Sequence, residues 1–98
     1  MSDKPFRQET LEKALELTCG DRNKAYGPPF MNLSACAMLW TAYLSAKHVD
    51  DISLTAEDVA WMMTLLKMTR AFHGEMHGDN YIDAAAYSAI AGECRVYG

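Results

Sequence analysis

The stretch MNLSACAMLWTAYLSA, residues 31–46, contains no charged side chain over about four helical turns. Leu33, Ala37, Trp40 and Leu44 recur at helical spacing along one face, and Cys36, Leu39 and Tyr43 widen it. A helix with no charged side is buried around most of its circumference. Proline is well tolerated in a first turn, so a helix is expected from Pro29 or Phe30 to about Lys47. In a small helical monomer some face of each helix should be wet. A dry helix in such a chain points to a surface that meets a second copy.

Three further helices are expected around this one. Before it, Gln8 to Thr18 places Leu11, Ala14, Leu15 and Thr18 on one stripe and Glu9, Glu12, Lys13 and Glu16 towards water, with Gly20 as a stop. After it, Thr55 and Asp58 have capping-box spacing for a helix from Ala56 to about His73. The Met and Trp residues of that helix are expected in the core, and Lys67 and Arg70 interrupt it three positions apart. Gly74 and Gly78 bracket a short loop, and a last helix runs from near Asp79 to about Arg95. It is rich in small residues (Ala84, Ala85, Ala86, Ser88, Ala89, Ala91, Gly92), which suits close approach at the centre of a bundle or dimer. No segment alternates with period two. The expected fold is all-α: a compact four-helix bundle forming one domain over residues 1–98, with 1–7 and 96–98 as flexible ends, assembling as a homo-oligomer through its second and fourth helices.

Composition narrows the function classes. The chain has 98 residues, half of them hydrophobic and 22% charged, which is ordinary for one globular domain. A net charge of −4 argues against direct nucleic-acid binding, which needs clustered cations for phosphate neutralisation. No apolar run approaches a membrane span, and the N-terminus lacks a secretory layout, so a cytoplasmic setting is expected. Cys19, Cys36 and Cys94 are widely spaced and form no Cys-x-x-Cys pair, so they are expected to act as small hydrophobes. His48, His73 and His77 do not form a zinc motif, and no phosphate loop or Gly-x-Ser-x-Gly elbow occurs.

The candidate chemistry straddles the third and fourth helices. Lys67, Arg70, His77, Asp79, Asn80 and Asp83 should be gathered by the Gly74–Gly78 hairpin, with Asp79 and Asp83 stacked one turn apart. Three readings of this group stay open. Lys67 or Arg70 could pair structurally with Asp83. Arg70, Lys67 and His77 could bind a phosphate, with the carboxylates orienting them or touching a sugar or base. Asp79 and Asp83, with Glu57 or Asp58, could hold Mg²⁺ for phosphoanhydride cleavage. Arg22 and Tyr26, beside Gly27, Pro28 and Pro29, are candidates to close the site, Tyr26 by stacking on a base.

Several blocks carry a resemblance. Arg22-x-x-x-Tyr26-Gly27, Asn32, Trp40-x-x-Tyr43-Leu44, Asp58-Val59-Ala60-x-Met62-Met63-x-Leu65-Leu66-Lys67-x-x-Arg70 and His77-x-Asp79-Asn80-Tyr81-x-Asp83-Ala84-Ala85-x-Tyr87 resemble a family of small phage and prophage helical proteins of unknown function, over residues 20–94. That resemblance implies a bacterial host cytoplasm. More distantly, the layout is similar to the all-α nucleoside triphosphate pyrophosphohydrolases of the MazG kind, which are oligomeric and hold Mg²⁺ on acidic pairs. The second helix, where a Glu-x-x-Glu pair belongs in those enzymes, has no acidic residue here.

The leading expectation is therefore a phage-type oligomer that binds a nucleotide or nucleotide-derived phosphate ligand at a site shared between subunits, sequestering a second messenger in counter-defence. A Mg²⁺-dependent pyrophosphohydrolase and a phage inhibitor acting on a host protein are the alternatives.

Overall fold

A computed structural model describes residues 3–20 and 28–97. The described residues form four helices and no strand: α1 (Phe6–Cys19), α2 (Pro29–Ala46), α3 (Ala56–His73) and α4 (Gly78–Tyr97). α4 is the hub. It packs most extensively on α3, then on α1, and touches α2, while α2 is held mainly by α3. Its small side chains allow this, with Ala86, Ala91 and Cys94 buried along its length beside Ile82. The small-residue helix thus sits at the centre of the bundle, one of the two places expected for it.

Helix ends follow local chemistry. At the start of α3 the Asp58 amide donates to Thr55 Oγ1 at 3.1 Å, and the Thr55 amide donates to Asp58 Oδ2 at 2.9 Å, a reciprocal cap. α2 begins on Pro28 and Pro29, where a missing amide costs nothing. It ends with the His48 amide donating to Ser45 O at 3.0 Å and the Val49 amide to Leu44 O at 2.9 Å. That is a Schellman pattern, with His48 at φ 65° in the place glycine usually takes. The Leu54 amide donates to Thr41 Oγ1 at 3.0 Å and ties the following loop back to α2. α1 stops at Gly20, where a Cβ would lie 2.5 Å from the Glu16 carbonyl oxygen. Glycine is needed there for close approach and not for a left-handed backbone.

Two expectations are corrected. α1 starts at Phe6 and is rolled so that Ala14 and Leu17 meet Ile82 and Ala86, leaving Leu11 and Leu15 more than 60% exposed. The Phe6 ring sits edge-on to Tyr81 at 5.9 Å, and this contact, with the small Ala14, sets the roll. The bundle is also not compact. Its radius of gyration is 15.2 Å, against about 12.6 Å for a compact domain of this length.

The core is built from small residues. Among the described residues, six of the nine buried apolar side chains are alanines (Ala14, Ala37, Ala56, Ala60, Ala86, Ala91), joined by Val59, Ile82 and Cys94. Several of the large apolar side chains expected inside lie outside, while Val59 is buried and Leu33, Trp40, Leu44 and Met63 are half-buried. On α3, Trp61, Met62, Leu65 and Met68 are exposed, because the face of α3 turned to α4 is its Ala56–Val59–Ala60 side. No helix among the described residues is long and apolar enough to cross a membrane.

Candidate functional site

α3 and α4 run antiparallel and are pinned by one ion pair near each end. At the open end, Arg95 grips Glu57 with two contacts, Nε to Oε1 at 3.1 Å and Nη2 to Oε2 at 3.0 Å. Trp61 Nε1 also donates to Glu57 Oε2 at 3.0 Å. The Arg95 guanidinium, then the Trp61 indole, hold the Glu57 carboxyl below its ordinary value, and Glu57 raises Arg95 in return. At the turn end, Lys67 Nζ lies 3.1 Å from Asp83 Oδ2, both side chains being partly buried. The two pairs have nearly the same register, since 57 and 95 sum to two more than 67 and 83.

The turn end also holds an open hollow of ≈ 640 Å³, bounded by the last turn of α3, the Gly74–His77 loop and the first turns of α4. All six residues expected there from the sequence line it: Lys67, Arg70, His77, Asp79, Asn80 and Asp83. The structural reading is met for one pair, because Lys67 takes Asp83. Arg70 remains exposed, and among the described residues its guanidinium has no hydrogen-bond or ion-pair partner. Asp79 does not cap the helix. α4 begins one residue earlier, and Asp79 sits in its first turn, where a carboxylate or a bound anion suits the positive helix end. The Asn80 amide donates to His77 O at 3.2 Å and closes that first turn.

Sequence reasoning missed Glu75, which also lines the hollow and sits in the Gly74–Gly78 loop, a position that could have suggested it. It also missed a second hollow of ≈ 720 Å³ against α1, lined by Lys13, Glu16, Leu17 and Gly20. Asp79 and Asp83 border both hollows, so they form the ridge between them. Arg22 and Tyr26, expected to close the site, lie outside the described residues. Glu57 and Asp58, named as further metal ligands, are used elsewhere: Glu57 by Arg95 and Trp61, Asp58 in the α3 cap. Among the described residues no three His, Cys, Asp or Glu side chains are grouped as a metal site.

The cysteines divide by environment. Cys94 is buried and its thiol is pushed up by that burial, with Glu93 and Glu57 adding to the effect. Burial also raises half-buried Cys36, and Cys19 is exposed.

Comparison with known proteins gives the same chain order a family. The gene 55 protein of Mycobacterium phage D29 is 38% identical over 81 residues, covering 83% of this chain and 50% of the phage protein. The gene 55 protein of Mycobacterium phage L5 is 36% identical over 80 residues, covering 82% of this chain and 48% of that protein. The chain thus spans about half the length of these curated relatives. No solved structure gives a significant match. A family profile described as a domain of unknown function, DUF6378, matches residues 9–95, which takes in α2, α3, most of α1 and α4, and the whole hollow, and the chain belongs to that family.

Proposed function

We propose that the protein binds a nucleotide, or another small molecule bearing a phosphate, in the hollow between α3 and α4, and holds it without turnover. The observation that carries this reading is Arg70. It lines the hollow with no hydrogen-bond or ion-pair partner among the described residues, next to a lysine that Asp83 already neutralises and at the positive end of α4. A guanidinium matches the geometry of a phosphate and takes it through two donors. A hollow of ≈ 640 Å³ is in the range of small-molecule sites.

The lining sets the charge of the ligand. It carries two cations, Lys67 and Arg70, and three carboxylates, Glu75, Asp79 and Asp83. A bare polyanion meets opposition there. A nucleotide that arrives with Mg²⁺ brings its own compensation, with Arg70 on a phosphate and Asp79 towards the metal, the rest of whose shell is phosphate and water. Asn80 and His77 supply further hydrogen-bonding groups. The phage setting of the gene 55 relatives supports a host signalling nucleotide as the ligand, sequestered in counter-defence.

Pyrophosphohydrolysis of the MazG kind is the alternative, and it needs more carboxylates than Asp79 and Asp83 alone. Calorimetry against nucleoside triphosphates and cyclic di- and trinucleotides, with and without Mg²⁺, tests the proposal. Heat with one of these ligands that disappears in Arg70→Ala supports it. No heat with any of them, from protein shown to be folded, rejects it. Pyrophosphate release that is lost in Asp79→Ala and Asp83→Ala would replace sequestration with catalysis.

A further inference from the structure

The hollow beside α3 has a neighbour of different character. Asp79 and Asp83 form the ridge between it and the hollow against α1. Apart from Gly74, every residue lining the α3 hollow carries a polar side chain. The α1 hollow, of ≈ 720 Å³, has an apolar floor instead. There Ile82 is buried and Leu17 half-buried, and both belong to the cluster that holds α1 on α4. At its rim Lys13 and Glu16, both exposed and one turn apart, set a donor beside an acceptor. Neither has a hydrogen-bond or ion-pair partner among the described residues.

The ridge itself offers acceptors. Asp83 gives Oδ2 to Lys67 at 3.1 Å, which fixes its carboxylate, and no group among the described residues donates to its Oδ1. Three chemistries therefore follow one another across α4: a guanidinium for a phosphate, carboxylates on the ridge, and an apolar floor with a polar rim. A helix with its side chains is about 10 Å across, a span that one nucleotide bridges.

A nucleotide presents its parts in the same order: phosphate, sugar, base. Sugar hydroxyls donate to carboxylates, the flat face of a base rests on aliphatic side chains, and its edge takes donors and acceptors such as Lys13 and Glu16. With Asp79 turned to the metal on the phosphate side, Asp83 Oδ1 is the acceptor left for the sugar. Of the ring hydroxyls, the 2′ one is next to the base and falls on the side of the ridge that faces the α1 hollow. A deoxyribose has nothing to donate at that position. We infer that the two hollows form one site for a ribonucleotide, with its base on Leu17 and Ile82 and its 2′-hydroxyl donating to Asp83. This rests on the nucleotide reading above and adds to it the sugar and the second subsite.

Calorimetry in the presence of Mg²⁺ tests it, comparing each ribonucleoside triphosphate and cyclic diribonucleotide with its 2′-deoxy counterpart and with tripolyphosphate. A ribonucleotide that binds should lose about 10-fold or more in affinity without its 2′-hydroxyl, the loss of one hydrogen bond to a charged acceptor. Asp83→Ala should bring the ribo and deoxy affinities together, whereas damage to the fold would lower both and keep their ratio. Leu17→Ala should weaken the ribonucleotide several-fold and leave tripolyphosphate, which has no base, unchanged. Equal affinities for the ribo and deoxy forms overturn the inference while leaving phosphate binding at Arg70 standing. Tripolyphosphate binding as tightly as the nucleotides does the same. An absence of heat with every ligand, from folded protein, overturns both readings together.

Discussion

The two ends of the α3–α4 hairpin use the same device to different effect. At the open end Glu57 is saturated: two contacts from Arg95 and one from Trp61 use both its oxygens. At the turn end one lysine and one carboxylate cancel, and a second cation, Arg70, is left over beside Asp79 and Asn80. A clasp with every partner matched can only hold helices together. A cluster with a surplus donor facing an open hollow has something to offer a ligand. The difference teaches that similar ion pairs can leave very different chemistry behind, and that the unmatched member is what separates the two ends.

The sharpest way to break the comparison is to swap the two arginines for alanine. Arg70→Ala should weaken nucleotide binding about 10- to 100-fold, the loss of a charge-assisted contact worth about 1.5–3 kcal/mol, while stability stays within about 0.5 kcal/mol. Calorimetry and urea unfolding of the same sample would read both. Arg95→Ala should do the reverse, lowering the melting temperature slightly and leaving affinity alone. If Arg95→Ala alone abolished binding, the assignment of the two ends would be inverted.

Next in size is Lys67→Met, which leaves partly buried Asp83 without its partner. Its cost should fall between the exposed and buried limits, about 1–2 kcal/mol by urea unfolding. Asp83→Asn in the same background should recover part of that loss, since the remaining charge is removed.

Acid separates the ends further. Glu57 is held below its ordinary value of 4.5 when folded, so its contribution to stability is fully present above that value and is lost as pH falls through the folded value. The stability gap between wild type and Glu57→Gln should therefore be widest near neutrality and shrink below about pH 4.5. A gap that persisted unchanged at pH 3 would show that the Arg95 clasp does not act through the Glu57 charge.

The smallest expected effect is a control that touches neither end. His48→Gly relieves a left-handed backbone at the end of α2 and should stabilise the chain by about 0.5–1 kcal/mol, with ligand binding unchanged.

What could be read from the sequence followed the range of the interaction. The Thr55–Asp58 cap was legible because both partners lie within one turn, and the six residues of the hollow were legible because a short hairpin must bring them together. The Glu57–Arg95 clasp spans 38 residues, and no local pattern reports it. The roll of α1 was misread because Leu11 and Leu15 look like an inner stripe until Phe6 finds Tyr81 and small Ala14 accepts the neighbouring helix. The Schellman end at His48 was hidden because its usual signal is glycine. The exposed Trp61 and Leu65 ran against the rule that large apolar groups go inside, since alanines, packing closer, took the interior of this chain.

That alanine interior has a calorimetric consequence. A chain whose buried side chains are mostly methyl groups uncovers little new apolar surface when it melts alone. Its denaturant slope and its heat-capacity change on unfolding should both be shallow for 98 residues. Much of the apolar area that would steepen them is already open to solvent in the folded chain, on α2 and α3.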